Sequence, residues 1–121
     1  MVPTLNLTID AGADFHQSFA YKSILNSTTT PKNLNQHKLY MQIRHSPMSG
    51  VVLYDVDDPS YIEVTNPTQG VFTIHIPANE TAKFTKKFRV YDIFIVSPDG
   101  DTRKLIKGNI TVIPAVTKEL S

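Results

Sequence analysis

The chain contains no cysteine and no tryptophan. The first absence removes disulfide frameworks, thiolate metal sites, thiol nucleophiles and iron–sulfur clusters together, so the fold must close on apolar burial and hydrogen bonds alone. It also fits synthesis in a reducing cytoplasm. No run approaches the ~20 apolar residues that span a bilayer, and residues 1–8 show neither the basic nor the apolar region of a secretory leader. A soluble, unprocessed chain without a membrane partner is the expectation. Twelve Lys+Arg against 11 Asp+Glu leave a formal net charge of +1, so no global field draws the chain to polyanions. The five glycines, Gly12, Gly50, Gly70, Gly100 and Gly108, are too dispersed for a phosphate loop, a dinucleotide fingerprint or a nucleophile elbow. Asn-x-Ser/Thr triplets at Asn6, Asn26, Asn79 and Asn109 read as by-products of threonine-rich strands and turns.

What is present is β periodicity. A length of 121 residues suits a single domain spanning 1–121. In 88–113, Tyr91, Ile93 and Ile95 alternate with Asp92, Phe94 and Val96, and Ile106, Ile110 and Val112 share one parity. Between them Ser97-Pro98-Asp99-Gly100-Asp101 has turn chemistry, with Pro98 suited to the second turn position and Gly100 to positive φ. A long antiparallel hairpin is predicted, and its apolar face needs a second layer. The same alternation marks Leu5, Leu7 and Ile9, then Phe15, Gln17, Phe19 and Tyr21, then Leu39, Met41 and Ile43, and Phe72, Ile74 and Ile76. Shorter β-prone runs fall at 51–55 and 61–65, and the polar stretch 26–36 reads as a loop because Pro31 cannot donate to a ladder. After Pro77, Asn79 is positioned to cap a helical turn near 78–84 that carries the chain from one sheet to the other. The sum is an all-β, two-sheet antiparallel sandwich of about seven to nine strands. A closed barrel is the alternative. Tyr91, after the crossover, is either a tyrosine corner bonded to nearby upstream backbone or an ordinary core tyrosine.

The chemistry-bearing residues do not form a recognisable set. His16, His37, His45 and His75 have no i/i+2 or i/i+4 pairing, and His16 and His75 stand at polar-parity positions expected to face solvent. No metal is predicted. Asp10, Asp55, Asp57 and Asp58 offer oxygens, but Pro59 falls where a calcium loop needs a ligand. No convergent acid, base or nucleophile is visible, so the chain is read as a non-enzyme without a cofactor. Lys83, Lys86, Lys87 and Arg89, with Arg103, Lys104 and Lys107 on the partner strand, are expected to gather positive charge at one end of the hairpin. A nucleic-acid site would want interleaved aromatics, and only Phe84 and Phe88 are near, so a solvated edge or protein-docking patch is preferred. Phe94 and Val96 face outward from a strand expected to be central. That apolar strip is covered either by a loop such as 26–36 or by a partner protein.

These strands also carry a resemblance. The opening Leu5-Asn6-Leu7-Thr8-Ile9 with Gly12 and Phe15, the strand Met41-Gln42-Ile43-Arg44, and Gly70-Val71-Phe72-Thr73-Ile74 with Thr81-Ala82 are its first part. Tyr91-Asp92-Ile93 before Pro98-Asp99-Gly100, and the run from Lys104 to Val112 before Thr117, complete it. In order and spacing the chain resembles small immunoglobulin-like β-sandwich virion proteins of tailed bacteriophages, and looks similar to the N-terminal domain of phage baseplate upper proteins. It departs from them at 26–36, where a tryptophan or a glycine-containing turn is usual. The resemblance implies a non-enzymatic structural component of the virion, made in the host cytoplasm. Such a component would dock on other virion proteins of the tail, neck, baseplate or capsid in multiple copies. Phe94, Val96, Lys86, Lys87, Arg89, Arg103 and Lys104 are the candidate partner-binding residues. The alternative is a carbohydrate- or receptor-binding module using loops 26–36 and 55–60, with Tyr40, Tyr54 and Tyr61 as stacking surfaces for a host-surface glycan.

Overall fold

Every second residue of 38–44, 71–76 and 90–96 is buried, which gives each run one face on a core and one outside. The computed structural model describes residues 4–25, 28–31, 33–48, 50–56 and 60–115. Its strands are β1 (Leu7–Asp10), β2 (Phe15–Ala20), β3 (Lys22–Leu25), β4 (Thr28–Pro31) and β5 (Lys38–Arg44). They continue with β6 (Tyr54–Val56), β7 (Ile62–Asn66), β8 (Val71–Ile76), β9 (Val90–Val96) and β10 (Thr102–Ile113). A five-stranded sheet runs β1-β10-β9-β5-β6 and a three-stranded sheet β2-β8-β7, while β3 and β4 pair as a separate ribbon. The two larger sheets make an all-β sandwich, with the chain's last two strands, β9 and β10, in the interior of the five-stranded sheet.

The predicted hairpin is present, and β9 is central. Gly100 N–H donates to the Ser97 carbonyl at 2.9 Å, placing Pro98 second in the turn, and Gly100 takes φ +92. Ser97 N–H donates to the Asp101 carbonyl at 2.9 Å, a turn closed by a glycine bulge.

Three expectations need correction. The β1–β10 pair is parallel, Leu7 opposite Ile110 and Ile9 opposite Val112, because β1 must leave through 11–14 for the other sheet. Leu5 lies before β1 and is 40% exposed, so it does not join the core. The stretch 26–36 is not wholly loop, since Thr28–Pro31 is β4; Pro31 is tolerated at the end of an edge strand. Further along, Leu34 is 1% exposed and its N–H donates to the Pro67 carbonyl at 2.8 Å, so this segment contributes to the core.

The core lies between the sheets. Ile9, Met41, Ile43, Phe72, Ile74, Ile76 and Ile93 are fully buried, and Phe72 stacks on Phe19 with ring centroids 5.0 Å apart. Each such side chain contributes about 1.5–3 kcal/mol of burial.

The crossover is the helical turn α1 (Ala78–Thr81), joining β8 of one sheet to β9 of the other. Asn79 does not cap it. Asp14, from the β1–β2 turn, accepts the Ala78 N–H at 2.7 Å, a long-range contact that local sequence cannot reveal.

Tyr91 is a core tyrosine. Its hydroxyl donates at 2.5 Å to the carbonyl of Leu5, on the N-terminal segment instead of the local upstream backbone a tyrosine corner would use. The side chain is 3% exposed, and burial pushes the phenol up to about 12. An unfolded tyrosine ionises near ~10, so the folded state loses relative stability as pH rises through about 10 to 12. The loss is on the order of 2 kcal/mol and is absent below pH ~10. Urea midpoints of the parent and Tyr91→Phe chains from pH 8 to 12 check this. The variant should start about 1 kcal/mol lower at neutral pH and decline less in alkali; parallel curves would mean the phenol is not desolvated.

Candidate interaction face

The outer face of the five-stranded sheet is built in cross-strand rows by the register of β5, β9 and β10. Phe94 stands between Tyr40 and Lys104, Asp92 between Gln42 and Lys107, and Val90 between Arg44 and Asn109. Outward parity along β5 and β9 puts their side chains on one surface, and a bulge in β10 between Lys104 and Ile106 returns Lys107 and Asn109 to the same face as Lys104. Phe94 is half-buried, Tyr40 is 41% exposed, and Lys104 Nζ lies 5.4 Å from the centroid of the Phe94 ring. Lys104 Nζ also sits 3.5 Å from Asp92 Oδ2, and Arg44 donates to Gln42 Oε1 at 3.0 Å. A cavity of about 440 Å³ opens here, lined among others by Phe94, Asp92, Gln42, Arg44, Lys107 and Asn109.

Phe94 therefore faces outward from a central strand, as its parity predicts. None of the described residues of 28–36 lines this cavity. Val96, also half-buried, pairs with Lys38 and Thr102 at the turn end of β9. Sequence parity identified Tyr40, Gln42 and Arg44 as outward-facing, but it carried no signal that β5 lies beside β9.

The basic residues do not gather at one end. Arg103 pairs opposite Ile95 and Lys104 opposite Phe94, toward the 97–101 turn, whereas Lys86, Lys87 and Arg89 precede β9 at its other end. Antiparallel pairing separates Arg103 from Arg89 by roughly 20 Å at ~3.3 Å per strand residue. Several of the charges are also paired: Lys83 with Glu80 at 2.8 Å and Arg103 with Asp101 at 2.9 Å. Lys83, with the Tyr54 hydroxyl, lowers the Glu80 carboxyl below its ordinary range, and Asp101 raises the Arg103 guanidinium.

Acidic residues in the hairpin turn serve the turn. Asp99 accepts from the Ser97 hydroxyl and from the Asp101 N–H, and these bonds lower its carboxyl below the usual range. Asp10 lies on β1 and Asp55 on β6, at opposite edges of the five-stranded sheet, so they do not share a cation. Asp57 and Asp58, the remainder of the calcium reading, lie outside the described residues. Of the candidate stacking tyrosines, Tyr54 donates to Glu80 Oε1 at 2.7 Å and packs edge-on to Phe84, and Tyr61 is half-buried. Tyr40 is the exposed one.

On the other sheet, His16 and His75 are direct cross-strand partners on β2 and β8. Their rings stack with centroids 4.2 Å apart and 5° between planes. His16 is exposed and His75 half-buried, on the outward side that polar parity gives them, and their meeting is one that motif spacing does not signal. Strand pairing joins residues far apart in the chain. Asp14, His16 and His75 each offer a ligand atom within 4.8 Å of the others, the one such set of three among the described residues.

The structure thus defines the chain as a two-sheet β-sandwich with an open, mixed polar and apolar face on its larger sheet. Among the described residues no helix is long and apolar enough to cross a membrane. Compared with known proteins, the chain matches no family model and no curated protein.

Proposed function

We propose that this protein is a non-enzymatic structural component of a tailed-phage virion, docking on another virion protein through the outer face of the five-stranded sheet. The observation that carries the docking face is the row Tyr40–Phe94–Lys104 beside the roughly 440 Å³ cavity. An aromatic pair at the centre of a sheet face, rimmed by Arg44, Asp92 and Lys107, has the apolar centre and polar rim of a protein-binding patch. The assignment to a virion rests on the resemblance of strand order and turn motifs to small phage sandwich proteins. Lys104 over the Phe94 ring gives the patch a cation beside its apolar centre, which suits a partner presenting an acidic residue next to an apolar one.

The test is incorporation of a Phe94→Asp chain into particles that lack the native copy. Incorporation should fall at least tenfold while the isolated variant keeps its fold, losing no more than ~1 kcal/mol because Phe94 lies outside the core. Undiminished incorporation would remove this face from the proposal. Specific glycan binding by the isolated domain, lost on Tyr40→Ala, would favour the receptor-binding reading instead.

A further inference from the structure

We infer that Asp14, His16 and His75 form a binding site for one divalent transition-metal ion, zinc being the natural occupant. The site lies on the three-stranded sheet, away from the face proposed for docking, and does not depend on that proposal.

Two imidazoles and a carboxylate are a zinc ligand set, with one coordination position left for water or an external group. The same donors also suit nickel and copper, whereas calcium and magnesium prefer all-oxygen surroundings. The three ligand atoms lie within 4.8 Å of one another. Tetrahedral zinc with bonds of about 2.0–2.1 Å needs ligand atoms about 3.3 Å apart, so the set must contract by roughly 1.5 Å. The parallel stack of the two rings directs their lone pairs side by side, so binding must break it by turning both rings about χ2, a broad torsion for imidazole.

The scaffold beneath the ligands is already held. His16 and His75 stand opposite one another in the β2–β8 ladder, which continues through Gln17–Ile74 and Phe19–Phe72 into the core. The His75 N–H donates to the carbonyl of Tyr61, the residue just before β7, at 2.7 Å. Asp14 is held by the Ala78 N–H on Oδ1 at 2.7 Å, leaving Oδ2 available to an ion. A ligating carboxylate oriented by a backbone N–H is the outer-shell arrangement that tunes metal sites. Binding would therefore tie β2, β8 and the crossover turn together at one point.

The experiment is calorimetric titration of the chelator-treated full chain with zinc chloride, alongside thermal melts. One ion per chain is expected, with a melting midpoint raised by roughly 5–10 °C at a hundredfold excess of zinc over its Kd. His16→Ala and His75→Ala should each weaken binding at least tenfold and remove the thermal shift. Asp14→Asn keeps an acceptor for Ala78 but loses the anionic ligand, so it should fold normally and also bind at least tenfold more weakly. His37→Ala and His45→Ala should bind as the parent does. Zinc affinity that survives the His16→Ala/His75→Ala double change, or calcium displacing zinc at equal concentration, would overturn the site.

Discussion

A Gly108→Ala chain is expected to lose roughly 3–6 kcal/mol of stability, a large part of the ~5–15 kcal/mol that holds a domain of this size. The reason is space. A Cβ on Gly108 would lie 2.0 Å from the Leu5 carbonyl oxygen, 2.7 Å from its carbon and 3.1 Å from Cε1 of Tyr91. The first two are backbone atoms, which cannot swing aside as the tip of a side chain would. Residues 4–6 must therefore lift from β10. With them go the Leu5 N–H bond to Lys107 (3.0 Å), the Tyr91 hydroxyl bond to Leu5 (2.5 Å) and the Asn109 N–H bond to Asn6 Oδ1 (3.1 Å). Each is worth about 0.5–1.5 kcal/mol net, and residual overpacking adds about 1–3 kcal/mol. Urea unfolding gives the total. Amide exchange at Leu5 should accelerate well before that at Ile9, which belongs to the retained β1 ladder; an unchanged midpoint would show that 4–6 does not rest on Gly108.

Thr81→Val should cost about 1–3 kcal/mol despite nearly preserving volume. Thr81 is 0% exposed, and its hydroxyl donates to the Ala13 carbonyl at 2.7 Å and accepts from the Gly12 N–H at 3.1 Å. Valine fills the space and abandons both part-buried groups, which lose their bonds to the hydroxyl. The defect falls where the β1–β2 turn meets the crossover, so both ends of the sandwich joint loosen together. Thr81→Ser retains the hydroxyl and loses one methyl, and should retain most of the stability, within ~1 kcal/mol of the parent. Thermal melts of the pair discriminate the causes: equal losses in Val and Ser variants would mean that packing, and not hydrogen bonding, is what Thr81 contributes.

The functional reading rests on a surface, and a surface is harder to read than a core. Outward parity of Phe94, Tyr40, Gln42 and Arg44 was legible because side chains alternate along a strand. Their assembly into rows was not, since β5 and β9 are separated by most of the smaller sheet along the chain. The same limit explains the basic residues. Lys86, Lys87, Arg89, Arg103 and Lys104 look clustered along the chain, and antiparallel pairing places them at opposite ends of a strand.

His16 and His75 show the converse case. They are distant in sequence and share only a polar parity, yet the β2–β8 register makes them neighbours 4.2 Å apart by ring centroid. Motif spacing finds ligands on one helix or one loop; ligands contributed by two strands need the pairing first. Gly108 is similar, because nothing local distinguishes it from a strand glycine until Leu5 is laid across it.

Local stereochemistry was readable from residue order: alternation in 38–44, 71–76 and 90–96, the Pro98–Gly100 turn, the stop at Pro77, and hence an all-β sandwich. These features depend on neighbours one to four positions away, and residue types alone express them. Which strand lies beside which, the parallel seating of β1 on β10, Asp14 in place of Asn79 at the crossover, and the meeting of Asp14 with two histidines depend on long-range contacts. Burial of the shared core selects those contacts from many pairings that the same alternation would permit.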